Sequence, residues 1–239
     1  MRIREIVELD ETTSTQDVAI ARARAGDAGG LVVVAGAQTA GRGRGGRVWE
    51  SPRGVNLYAS LLVREALSPD LAHRPMMATA IAALETVRGA GVANARIKWP
   101  NDVVVGGRKL AGILAESSVA GGRVEWVVVG VGLNVNWLDI PTDLKGVASS
   151  LAIEIGRALA LDDVRAQLMS AWERALDVAD PYDEWCAGSL PVGERVTVHA
   201  GDRVVVGRIA GYDHSGALIL ERDDGACETL SAGDLVRGA

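Results

Sequence analysis

Apolar and polar positions alternate along residues 2–9, Arg-Ile-Arg-Glu-Ile-Val-Glu-Leu, a period of two that predicts a strand with one buried face. After the polar Asp10-Glu11-Thr12-Thr13, the run Ser14-Thr15-Gln16-Asp17 sets a cap residue three positions before an acid. That spacing is a capping box and predicts a helix from Ser14 to about Ala25, ended by Gly26. Leu31 to Ala37 is continuously apolar with three valines, as a buried strand requires, and Asn56 to Val63 reads as another. Leu71 to Gly89 has the apolar stripe of an amphipathic helix, with Pro69 at its start. Ala93 to Trp99 is again strand-like, and the stretch from Lys98 to Gly112 reads as two β segments joined at Gly106-Gly107, both free to take positive φ. The second segment continues from Leu110 to Ser117, and Gly121-Gly122 turns the chain into a strand from Val124 to Val135. Residues 137–147 form a loop with Pro141; Ser149-Ser150 begin a helix through Leu159, Asp162-Asp163 cap another to about Ala179, and Tyr182 to Ala187 is a short helical turn.

At Ser189-Leu190-Pro191-Val192-Gly193 the texture changes to short alternating runs: Arg195–His199, Arg203–Tyr212, Ala217–Leu220 and Ala226–Leu230. Turns at Gly201-Asp202, Ser215-Gly216 and Asp223-Asp224-Gly225 separate them, a pattern that predicts a small β-barrel of SH3-like scale. The expected units are residues 1–189 and 190–239.

Composition narrows the class of protein more than it names a function. Of 239 residues, 48% are hydrophobic and 23% charged, as in an ordinary globular protein. No apolar run reaches the roughly 18 residues of a membrane helix, and Met1-Arg2-Ile3-Arg4-Glu5 contains no signal core, so a cytoplasmic protein is expected. Cys186 and Cys227 lie far apart and His73, His199 and His214 are scattered, which suits neither a disulfide framework nor a zinc site. The net charge of −6 argues against a general nucleic-acid binder.

Against that acidic background, Arg42, Arg44, Arg47 and Arg53 fall within twelve residues holding one acid, Glu50. The loop Gly41-Arg42-Gly43-Arg44-Gly45-Gly46-Arg47 satisfies GxGxxG, yet it leads into Pro52, Gly54 and a strand rather than the helix a dinucleotide fingerprint needs. It is not a Walker A loop, and the chain has neither His-Arg-Asp nor any Phe for Asp-Phe-Gly. What remains is physical: glycines let N–H groups approach an anion and guanidinium groups close over its oxygens, the alternative being an exposed hairpin tip. Lysine is rare here. Only Lys98, Lys109 and Lys145 occur among 25 basic residues, and two of the three lie in the Lys98–Gly112 stretch. A compact ammonium retained where arginine is otherwise used suggests chemistry or a tight phosphate contact rather than a solvated charge. In Gly130-Val131-Gly132-Leu133-Asn134, glycines on a buried strand leave room for a ligand to lie flat, and a buried Asn needs partners such as an adenine edge.

Taken together, these segments resemble a biotin–protein ligase. The matching residues are Ser14-Thr15-Gln16, Gln38, Ala40-Gly41-Arg42-Gly43-Arg44, Arg47, Trp49, Lys98-Trp99-Pro100-Asn101-Asp102, Lys109-Leu110-Ala111-Gly112 and Gly130-Val131-Gly132-Leu133-Asn134. Gln16 stands where the family has Asn. The resemblance implies an α+β fold, a class II aminoacyl-tRNA-synthetase-like mixed sheet with flanking helices, followed by the SH3-like barrel. It implies that biotin's carboxylate attacks the α-phosphate of ATP, with Mg2+, giving biotinyl-5′-AMP, and that biotin then passes to a lysine of a biotin carboxyl carrier protein. It also implies roles: Ser14, Thr15, Gln16 and Gln38 toward the ureido ring; Gly112 and Gly130 beneath the bicycle and Trp49 beside it; Gly41, Arg42, Gly43, Arg44 and Arg47 in the anion-closing loop. Lys109 is implied as the central catalytic cation, with Arg42, Arg44 and Asp102 assisting. Asn134 would read adenine, and Asn101 and Asp102 would hold Mg2+ or orient the incoming lysine. A lipoate–protein ligase shares the lysine and adenylate logic, but the Arg/Gly loop and the Lys-Trp-Pro-Asn-Asp string favour biotin. With the chain starting just before the catalytic unit, no DNA-binding role is expected; the expected state is a monomer or weak homodimer.

Overall fold

The apolar runs pair into two sheets. The computed structural model describes residues 1–65 and 67–237. In chain order the elements are β1 (Glu5–Leu9), α1 (Thr15–Arg24), β2 (Leu31–Ala35), β3 (Leu57–Val63), α2 (Arg74–Gly89), β4 (Arg96–Lys98), β5 (Asp102–Val105), β6 (Arg108–Ala120) and β7 (Arg123–Leu133). Then come α3 (Leu151–Ile155), α4 (Leu161–Asp177), α5 (Tyr182–Gly188), β8 (Arg195–Ala200), β9 (Arg203–Tyr212), β10 (Leu218–Arg222), β11 (Cys227–Leu230) and β12 (Asp234–Arg237). The first sheet runs β1-β2-β3-β7-β6-β5-β4, with β1 parallel to β2 and every other pair antiparallel. This is the mixed sheet expected. No helix among the described residues is long and apolar enough to cross a membrane.

Alternation along β7 separates two cores. Val127, Val129, Val131 and Leu133 join the larger core with α2, whose buried Ala78, Ala80, Ala82 and Ala83 let the helix lie close to the sheet. Trp126 and Val128 point the other way and pack with Ala19, Ile20 and Ala23 of α1. Beyond them the same face offers only Gly130 and Gly132, so the sheet is bare there. In a chain without Phe, Trp99, Trp172 and Trp185 are among the largest fully buried side chains. Trp172 on α4 donates from Nε1 to Thr79 Oγ1 on α2 at 2.9 Å. Trp172→Phe should therefore cost about 2 kcal/mol through the lost hydrogen bond and volume, read as a lower urea midpoint.

Several boundaries differ from the sequence pattern. Pro69–Leu71 is a separate 3-10 turn, and α2 begins at Arg74. Gly156, at φ 74°, ends α3 well before Leu159. α4 is capped by Ala160, and Asp162 and Asp163 occupy its first turn, where the positive end of the helix favours acids. Ser14 does cap α1, accepting from Gln16 N, but Asp17 does not close the box; it pairs with Arg42 instead.

The second sheet is antiparallel, ordered β11-β10-β9-β8-β12. Strand β12 was not among the predicted runs. Its ladder is open, since β11 and β12 do not pair with each other among the described residues. Trp99 ties the two sheets together by donating to Gly216 O at 2.9 Å, and Val198 and Leu235 share the larger core with the first sheet.

Candidate active site

A β-bulge decides which side chains meet. Across β5 and β6, Val104 faces Lys109 and Asp102 faces Gly112, but Val103 faces Ala111, so Leu110 is an extra residue. In an unbroken strand, residues 109 and 112 would point to opposite faces. The bulge brings both to the bare face, where Lys98, Asp102, Gly112 and Gly132 form a row across β4, β5, β6 and β7. A Cβ on Gly112 would lie 2.9 Å from Lys109 Nζ and 2.8 Å from Trp49 Cζ3; one on Gly132 would lie 2.3 Å from the Trp49 indole. The two glycines are thus the floor on which Trp49 lies.

Above that floor is a cavity of about 500 Å³. It brings together Ser14, Thr15, Gln16, Gln38, Arg42, Gly43, Arg44, Arg47, Trp49, Asn101, Asp102, Lys109, Gly112, Gly130 and Asn134. Gly41 alone of the expected residues is not on its wall. It sits behind, where a Cβ would meet Trp49 O at 2.3 Å, and serves the loop's closure through Trp49 N donating to Gly41 O. The cavity is also lined by Gly132, which the sequence pattern marks together with Gly130, and by Ser60, Trp137 and Asp234, which it does not mark. Gly132 was legible from its spacing two residues from Gly130. Ser60 is the one serine in the buried, otherwise largely apolar run of β3; nothing local marks Asp234.

One end of the cavity is neutral and rich in hydrogen bonds. Gln38 Oε1 accepts from Thr15 N at 2.9 Å and Thr15 Oγ1 at 3.2 Å, while its Nε2 donates to Ser51 Oγ at 2.8 Å. Thr15 Oγ1 and Ser60 Oγ are 2.9 Å apart, and Gln16 donates to Val128 O at 3.1 Å. The other end is cationic. Lys109 Nζ lies 2.7 Å from Asp102 Oδ1 and 4.9 Å above the Trp49 ring, and Lys98 Nζ is 3.8 Å from Asp102 Oδ2. Burial lowers the Lys98 pKa, with the Asp102 carboxylate offsetting only part of the effect.

The loop arginines are engaged by acids rather than aimed jointly inward. Arg42 pairs with Asp17 at 2.6 Å and Glu116 at 2.9 Å, whereas Arg44 and Arg47 reach Asp234 at the start of β12. Partial burial pushes the Asp234 carboxyl up, but hydrogen bonds and charge from Arg47 and Arg44 outweigh it and hold it below its usual range. Among the described residues, the buried Arg44 Nε, Trp49 Nε1 and Asn134 Oδ1 of the cavity wall have no hydrogen-bond partner, and Asp102 Oδ1 has only the Lys109 ammonium. Asn134 spends its amide hydrogens on Ser149 O at 2.9 Å, which leaves the carbonyl to accept. Such orphans are costly unless a ligand satisfies them.

Asn101 and Asp102 both lie on the cavity wall. Asn101 Nδ2 is committed to Ile113 O at 2.6 Å, and the one carboxylate already faces two ammonium groups. No cluster of three His, Cys, Asp or Glu able to hold a metal occurs among the described residues.

Comparison with known proteins agrees with this geometry. The model of the Biotin/lipoate A/B protein ligase family matches residues 9–134, and that of the Biotin protein ligase C terminal domain matches residues 192–238. The biotin--[acetyl-CoA-carboxylase] ligase of Paracoccus denitrificans is 35% identical over 224 residues, covering 89% of this chain and 92% of the relative. The enzyme of that name from Mycobacterium tuberculosis is 36% identical over 248 residues, covering 98% and 89%. Among solved structures, the biotin protein ligase from Aquifex aeolicus in complex with biotin and ATP has the same fold, with a TM-score of 0.78 at 24% identity over 98% of this chain and 100% of that one. The chain belongs to the biotin/lipoate A/B protein ligase family, among its biotin protein ligases.

Proposed function

We propose that the chain activates biotin with ATP and transfers it to a lysine of a biotin carboxyl carrier domain, in the cytoplasm where MgATP is at hand. The observation that carries this reading is one glycine-floored cavity with a neutral hydrogen-bonding end and a cationic end. From Gly130, beside Gln16 and Ser60, to Asn134 is about 13 Å along β7, at roughly 3.3 Å per residue. In that order the cavity offers a place for a polar ring, a carboxylate meeting a phosphate, and a base.

In the first step a biotin carboxylate oxygen attacks the α-phosphorus; the bond to the bridging oxygen breaks, pyrophosphate leaves, and the mixed anhydride biotinyl-5′-AMP remains. Both reactants are anions, so their approach needs compensation, and the Lys109 ammonium, held by Asp102, supplies it next to the glycine floor. Arg44 offers its free Nε to the same oxygens, and Asn134 Oδ1 suits the exocyclic amine of adenine. Mg2+ enters as part of the nucleotide substrate, held by its phosphates. In the second step the acceptor amine attacks the acyl carbon, AMP leaves, and the nitrogen loses a proton to form the amide. Asp102 is suited to orienting that amine. We divide the chain after residue 189 on the same reading, since α5 ends at Gly188 and the next strand belongs to the second sheet.

The neutral end also favours biotin over lipoate. A ureido group has one carbonyl and two N–H groups that can join the hydrogen-bond network of Ser14, Thr15, Gln38 and Ser60, whereas a dithiolane ring brings no strong donor or acceptor to it. Pyrophosphate release should therefore follow addition of MgATP with biotin and not with lipoate. Release with lipoate alone, or none with biotin, would overturn the reading.

A further inference from the structure

The two sheets meet at the Arg/Gly loop through one carboxylate. Asp234 Oδ1 lies 2.6 Å from Arg44 Nη2 and 2.7 Å from Arg47 Nη2, and Arg44 also donates to Gly233 O. The loop has little of its own to fix these side chains: Gly45 and Gly46 turn it at φ 65° and 77°, and no residue of Arg44–Gly46 is buried. The far side of the contact is rigid. Asp234 pairs with His199 in the β12–β8 ladder, and a Cβ on Gly233 would lie 2.7 Å from Val198 Cγ1 and 3.0 Å from His199 O. The backbone at Gly233 therefore packs directly against β8.

A carboxylate among groups meant for a polyanion works against binding by repulsion unless it does something else. Here the geometry is specific. One carboxylate oxygen takes the outer Nη2 of both guanidinium groups, while the buried Nε of Arg44 is left unpartnered. Two arginines against one carboxylate still leave net positive charge, to which Lys98 adds. We infer that Asp234 is a positioning residue for the adenylation step: from the second sheet it holds Arg44 and Arg47 in place, so that ATP meets a loop already ordered over the cavity. This rests on the reading of the cavity as a biotin-adenylating site. It also gives the C-terminal unit a defined part in the first half-reaction, by supplying the fixed point against which a glycine-rich loop is set.

The test uses the full chain with Asp234→Ala and Asp234→Glu. For Asp234→Ala, KM for ATP should rise roughly tenfold, because the loop must then be ordered at the ligand's expense, while KM for biotin stays within about twofold. Transfer from preformed biotinyl-5′-AMP to a carrier domain should be unchanged. In the absence of any ligand, trypsin should cut after Arg42, Arg44 or Arg47 faster than in the parent chain. Asp234→Glu should recover most of both effects, since its carboxylate can still reach the guanidinium groups. An unchanged or lower KM for ATP in Asp234→Ala would overturn the inference, because the carboxylate would then be inert or a competitor of phosphate. So would equal weakening toward both substrates together with a lower Tm, which is the mark of a purely structural contact. Failure of the underlying reading looks different: the parent chain itself would release no pyrophosphate from biotin and MgATP.

Discussion

Lys109→Ala should slow pyrophosphate release by roughly 10²- to 10³-fold, the usual scale for losing one preorganised electrostatic donor. The number is expected at the upper end because of what the ammonium leaves behind. With Lys109 gone, Asp102 keeps only Lys98, at 3.8 Å, and its carboxylate faces the cavity that the phosphates must enter. The site would lose a positive charge and expose a negative one. Stability should be little affected, because Lys109 is held by its backbone: its N donates to Val147 O and its O accepts from Ser149 N. The side chain also keeps access to solvent, being 31% exposed. Stopped-flow measurement of pyrophosphate release, with a melting curve alongside, checks both halves of the claim. A rate within threefold of the parent would remove Lys109 from the mechanism.

Gly130→Val should raise the dissociation constant for biotin roughly 10- to 100-fold, from the roughly 1–3 kcal/mol that overpacking costs. A Cβ there would stand 2.6 Å from Gln16 Oε1 and 3.1 Å from Ser60 Oγ. Gln16 cannot swing clear without giving up its bonds to Val128 O and Glu116. The added atoms therefore project into the polar end of the cavity, and neither core of the sheet is disturbed. ATP binding, at the other end, should change little. Calorimetry with biotin alone reads the effect, and an unchanged affinity would mean that the bicycle lies elsewhere.

Much of the site was legible because it is written in local runs. Ser14-Thr15-Gln16, Gln38, the Arg/Gly loop, the lysine-bearing hairpin and the glycine-lined strand converge on one cavity, as their residue types suggested. What was not legible depends on the third dimension. That Asp17 would serve Arg42 rather than the helix cap follows from where the loop comes to rest. That Gly41 would stay behind the wall follows from the path of Trp49 over the floor, and the pairing of Arg44 and Arg47 with Asp234 spans 190 and 187 positions of the chain. The fold shows the same division. Strands with strong alternation are legible, whereas β12, four residues with charged ends, carries too short a pattern to be seen, although it forms an edge of the second sheet.

The extra residue at Leu110 has a consequence for how this site tolerates change. It sets the phase of the strand, so that everything on its C-terminal side is half a period out of step with everything before it. Removing one residue between Lys109 and Gly112 would send the ammonium into the packed layer beneath α2 or turn the glycine floor over, and either outcome abolishes the site while conserving every residue type. A change of length at Gly106-Gly107, two residues earlier, would alter only the reach of an open turn. In this hairpin, then, the layout of the proposed site is held as much in the count of residues as in their identity.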